Sequence, residues 1–147
     1  MNVETEIYCP IFETEEQELV EQALRNVVPL STYSIKNILG QKHLYGRSKD
    51  KDALNEIFRK IREQRILDAG RKSLRREIKE NTVKFWVQKQ AAKVGKISFC
   101  QPIGESPLGT ITVNITSSQI EQLIDWLVPY TRKGKEVNVS SNGEGEY

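Results

Sequence analysis

Histidine, cysteine and long apolar runs are scarce in this 147-residue chain, and each shortage excludes something. A single histidine, His43, leaves no second imidazole for a metal site or a proton relay near neutral pH. Cys9 and Cys100 form no CxxC pair, so a zinc site has no foundation and two reduced, buried thiols are expected. No apolar stretch is long enough to cross a bilayer, and the opening MNVETEIYCP lacks the basic and apolar regions of a signal peptide. The cytoplasm is the expected compartment. GxxxxGK[ST], GxGxxG and HExxH signatures are all missing. Gly104-Glu105-Ser106 begins like a nucleophile elbow, but Pro107 and Leu108 replace the residues that let such a turn close tightly. The expectation is a non-enzyme with no catalytic residues, no metal and no cofactor.

What the chain has is charge, unevenly spread. The total is only +2, yet Arg59 to Lys96 carries thirteen basic residues against four acidic ones, a local net of +9. Residues 1–30 hold seven acids against Arg25 alone, a net of −6. A near-neutral protein built this way presents one basic and one acidic surface. The basic one invites a polyanion. Alternatively, the acidic and basic surfaces meet across a homodimer.

The hydrophobic pattern predicts one α+β domain over residues 1–134, a mainly antiparallel sheet covered by helices, with a flexible tail over 135–147. The element order read from the chain is β-α-β-(β)-α-α-β-α-β-β-α. Val3, Thr5, Ile7 and Cys9 alternate with polar residues as in a strand with one buried face. Thr14 with Gln17, and Ser118 with Glu121, have the spacing of capping boxes for helices that Pro29 and Pro129 stop. Tyr33–Leu39 and Lys42–Tyr45 read as a bulged hairpin around Gly40. Past Ile61 the apolar stripe slips phase, which predicts two consecutive helices or one bent between Gln64 and Gly70. Val83, Phe85 and Val87 mark another strand, with Lys84 and Trp86 on its opposite face. Ser106-Pro107-Leu108-Gly109 fits a type I turn.

Arg62, Arg65, Lys72, Arg76 and Lys79 recur at steps of three, four or seven, which lines them along one side of a continuous helix. With Arg75 they form the candidate phosphate-binding footprint, and Lys89 and Lys93, four apart on a short helical turn, are secondary contacts. The plainer account of such a row is the solvated face of an amphipathic helix. Trp86 beside Lys84 has the chemistry to stack a base, though packing beneath a helix is its commoner role.

Several strings, taken in order, identify a resemblance. Gln64-Arg65-Ile66-Leu67-Asp68-Ala69 following Leu54, then Lys89-Gln90-Ala91-Ala92, Glu105-Ser106-Pro107-Leu108-Gly109, and the stretch from Ile124-Asp125 to Gly134 resemble an archaeal family. It is uncharacterised protein family 0201, labelled as predicted RNA-binding, and the likeness spans nearly the whole chain. The resemblance implies a fold like that of ribosomal protein L five but no settled activity; together with the +9 segment it makes structured RNA the expected partner. Gly70 stands where the family usually has alanine, and Thr110 where it has proline. Two other readings stay open: an interaction module dimerising through its acidic and basic surfaces, and a nucleotide enzyme built on the Gly104–Gly109 loop.

Overall fold

The alternation in the opening strand is realised over its full length. In β1 (Val3–Pro10) every odd position is buried and every even one only half-buried. In the computed structural model, which describes residues 2–101, 109–132 and 135–136, β1 lies mid-sheet. The remaining strands are β2 (Ser34–Ile38), β3 (Gln41–Ser48), β4 (Ile78–Lys79), β5 (Thr82–Gln88), β6 (Phe99–Cys100) and β7 (Thr110–Ser117). They pair antiparallel in the order β2-β3-β1-β7-β5-β4, and β6 joins the same outer edge of β5 as β4. The helices are α1 (Gln17–Val27), α2 (Asn55–Glu63), α3 (Leu67–Arg76), α4 (Lys89–Lys93) and α5 (Ile120–Leu127). A small separate pair, β8 (Thr131–Arg132) and β9 (Lys135–Glu136), follows α5.

One cluster forms the core. Val3, Ile7, Cys9, Leu44, Val83, Phe85, Val87, Ile111, Val113 and Ile115 present a single face of the sheet to Val20, Leu24, Ile57, Ile61, Leu74, Leu123 and Leu127 of the helices. The opposite face carries no helix among the described residues. The α+β class and the helix-covered antiparallel sheet are therefore as expected. Cys9 and Cys100 are both buried. Burial pushes the Cys9 thiol up to about 12, so it stays protonated and unreactive.

Several local expectations change. α1 starts at Gln17 with Glu16 as its N-cap, and no side chain caps it; α5 starts at Ile120 with Gln119, again without a side-chain cap. Neither capping box forms. Instead the Glu15 carboxylate accepts from Phe12 N–H at 3.0 Å, and Ser117 Oγ accepts from Gln119 N–H at 3.1 Å. The β2–β3 hairpin has no bulge. Its register runs unbroken from Ile38↔Gln41 to Ser34↔Tyr45 around a two-residue Leu39-Gly40 turn with φ of 51° and 82°. The predicted flexible tail begins inside a strand pair, since Lys135 opposes Arg132. Residues 102–108, with most of the expected type I turn, and everything beyond 136 lie outside the described residues.

The predicted break between two helices is present, and Arg65 makes it. Arg65 has φ +59°, and Ile66 N–H reaches back to Ile61 O at 3.0 Å, the long bond that closes a helix around a left-handed residue. Gly70 lies within α3, where an added Cβ would meet Val128 Cγ1 at 3.0 Å and two Phe99 ring atoms at 3.2 Å. It allows α3 to approach its neighbours closely.

Candidate nucleic-acid interface

α3 is basic on two sides, and they serve different ends. Leu67, Gly70 and Leu74 fix its buried side. Arg71 and Arg75 then fall towards α5, where Asp125 and Glu121 have the same four-residue spacing. Arg71 Nη1 donates to Asp125 Oδ1 at 2.8 Å and to Val128 O at 3.0 Å, and Arg75 pairs with Glu121. Lys72 and Arg76 fall on the outward side and are exposed. Among the described residues no acid meets Lys72, and Arg76 has only Glu77 at 3.9 Å. Arg65, at the preceding turn, is also exposed.

The predicted row is therefore divided. Arg62 faces inward, donating to Trp126 O at 3.2 Å and Leu127 O at 3.1 Å, with its guanidinium 3.4 Å from the Phe58 ring centre. It closes the carboxyl end of α5, where free carbonyls and the helix dipole favour a cation. Lys79 is not helical at all. α3 stops at Arg76, and Lys79 sits on edge strand β4, exposed on the helix-free side opposite Thr82. The short strand β4 has too few residues to show a period, which is why it read as helix.

On α4 the two lysines expected as secondary contacts both turn to a carboxylate, and one of them is enclosed. Lys89 is fully buried, its ammonium 2.9 Å from Glu15 Oε1 and 2.7 Å from Pro10 O. A side chain enclosed in this way has no access to an RNA phosphate. Lys93 reaches the same carboxylate at 3.3 Å. Burial opposes ionisation of Glu15, but Phe12 N–H and the two ammonium groups outweigh it and hold the carboxyl below its ordinary value. This cluster ties α4 to the chain between β1 and α1.

Sequence reasoning missed two features. Lys96 is exposed beside a paired contact in which Gln64 Nε2 donates to Ile97 O and Ile97 N–H returns to Gln64 Oε1, each at 2.8 Å. That contact brings Lys96 to the turn bearing Arg65. The other is the helix-free sheet face. Its register lines up Trp86, Thr112, Tyr8 and Tyr45 across four strands, with Lys84, Asn114, Glu6 and Arg47 in the next row. Trp86 thus faces away from the helices rather than packing beneath one. The alternation within each strand was visible in the sequence, but the alignment between strands was not.

Among the described residues no group of histidine, cysteine, aspartate or glutamate could hold a metal ion, and no helix is long and apolar enough to cross a membrane. Residues 2–117 match the family model described as RNA binding, and the chain belongs to that family. Its relatives place it more narrowly, among the archaeal UPF0201 proteins. A UPF0201 protein of Sulfurisphaera tokodaii is 42% identical over 121 residues, spanning 82% of this chain and 83% of its own length. UPF0201 protein PH1010 of Pyrococcus horikoshii is 34% identical over 131 residues, spanning 89% and 93%. The crystal structure of the UPF0201 protein from Methanococcus jannaschii has a TM-score of 0.81 at 28% identity, covering 92% of this chain and 99% of that one.

Proposed function

We propose that this chain binds structured RNA without acting on it chemically, gripping phosphates with the outward side of α3 and its two ends. The footprint is Arg65, Lys72, Arg76 and Lys79, with Lys96 beside Arg65. Arg62, turned inward, and Arg75, paired with Glu121 at the surface, stand outside it, and Lys89 and Lys93 have no part in it. The observation that carries this reading is the division of α3. Acids on α5 occupy Arg71 and Arg75, whereas Lys72 and Arg65 are exposed with no acid partner among the described residues. Cations held apart from the protein's own carboxylates keep their full charge for an outside polyanion.

The test is a titration with a structured RNA hairpin at two salt concentrations. The parent should bind more weakly at the higher salt, because each phosphate contact releases counterions. Lys72→Glu with Arg76→Glu should weaken binding by about tenfold or more at 0.1 M salt. Unchanged affinity in that variant, or binding indifferent to salt, rejects the reading.

A further inference from the structure

We propose that the helix-free face of the sheet is a stacking platform for unpaired nucleotides, so that the RNA bound is one with a single-stranded segment beside its phosphate-contacting part. This rests on the RNA-binding reading and adds the class of RNA to it.

Three observations on this face converge. The first is aromatic. Trp86 and Tyr8 flank the small Thr112 in one cross-strand row, and the row continues to Tyr45, whose ring lies 6.5 Å from that of Tyr8 at an interplanar angle of 22°. His43 adds a fourth ring, 6.2 Å from Tyr8. All four rings are half-buried, keeping part of their surface open, and aromatic rings are what a base stacks on.

The second is charge. Lys36, Arg47, Lys79 and Lys84 are exposed at this face, against two acids among the described residues. Both acids are engaged: Glu4 pairs with Arg47, and Glu6 accepts from Tyr45 Oη. Lys36 Nζ lies 3.7 Å from the Tyr45 ring centre. Lys79 and Lys84 have no acid partner among the described residues, and Lys79 stands at the edge strand next after α3 in the chain. A backbone held by Arg76 and Lys79 therefore leads onto the sheet.

The third is Asn114, in the row between Lys84 and Glu6. Its Oδ1 is buried with no hydrogen-bond partner among the described residues. An amide left unsatisfied inside the fold gains a bond by rotating towards an arriving donor or acceptor, which a base edge supplies. A duplex fits this face poorly, since its bases are already stacked on one another and unavailable to Trp86 and Tyr8. Among the described residues, exposed aliphatic surface reaches this face only at Ile38, beside the hairpin turn. Cations and aromatic rings dominate the rest, which favours nucleotides over a protein surface.

The experiment compares a short unstructured oligouridylate with a blunt-ended RNA duplex, using the full chain. Trp86→Leu with Tyr8→Leu should weaken oligouridylate binding by about tenfold or more and leave duplex binding unchanged. In a Trp126→Phe background, where Trp86 is the one remaining tryptophan, the oligouridylate should quench its fluorescence and the duplex should not. If the leucine variant fails to fold, the quenching signal and the exposed Lys84→Ala substitution decide, the latter lowering oligouridylate affinity severalfold. Binding of duplex with no binding of oligouridylate, or saturation by oligouridylate without quenching, overturns the platform while leaving the phosphate footprint standing. Failure of the parent to bind either RNA removes the footprint and the platform together.

Discussion

α3 and α4 are both short basic helices, and on paper their lysines look alike. In the fold they part company. Lys89 of α4 points between β1 and α1 and ends on Glu15, fully enclosed, whereas Lys72 of α3 points outward with no acid at hand among the described residues. The deciding factor is what surrounds the helix. α4 is covered by the chain that links β1 to α1, and the ion pair offsets the cost of enclosing a charge. α3 is covered on one flank only, so two of its arginines hold α5 and its other basic residues remain outside. Local charge density therefore overstates the binding surface, because a share of it is neutralised inside the molecule.

The largest test of this contrast is at Glu15. Glu15→Gln strands the Lys89 ammonium without its counter-charge, and chemical denaturation should show a loss of about 3–5 kcal/mol. The pH dependence has a defined sign. The folded-state pKa of Glu15 is depressed, so its contribution is fully present above the unfolded value of about 4.3 and is lost as pH falls through the folded value. Stability of the parent, followed by circular dichroism, should fall below about pH 4.3, and the Gln variant should lack Glu15's share of that slope. Next in size, Lys72→Glu with Arg76→Glu should leave denaturation midpoints nearly unchanged, as surface changes usually do within about 0.5 kcal/mol, while RNA affinity drops.

Arg65→Gly sharpens the contrast further. Its left-handed backbone costs a side-chain-bearing residue about 1–2 kcal/mol that glycine avoids, so the variant should be at least as stable as the parent yet bind RNA severalfold more weakly. A parallel fall in stability and affinity would show that Arg65 serves the fold alone. Smallest is Arg75→Ala. Its pair with Glu121 is exposed, with side chains 41% and 59% accessible, and such pairs are worth about 0–1 kcal/mol. Thermal melts should barely move.

Much of the fold was legible because it follows from period. The alternation in Val3–Cys9 and Val83–Val87 and the slipped stripe after Ile61 are local signals, and each became the element expected. The capping boxes failed because spacing alone does not position a cap: α1 and α5 begin with Glu16 and Gln119 at the N-cap, so Thr14 and Ser118 do not hold that position. Lys89 was misassigned for a related reason. Its enclosure depends on Glu15, seventy-four residues away in sequence, which no window along the chain reveals. The row joining Trp86 to Tyr8 was hidden in the same way, since strand register is a property of the folded sheet.

The central claim is that the two sides of α3 divide fold from binding. The most direct measurement is the dependence of RNA affinity on salt, read as the slope of log affinity against log salt, for Lys72→Ala with Arg76→Ala beside Arg71→Ala with Arg75→Ala. The first pair should reduce the slope by about two, one for each phosphate no longer neutralised, with stability kept. The second should lower stability and leave the slope as in the parent. A reduced slope in the second pair with an unchanged slope in the first would contradict the account.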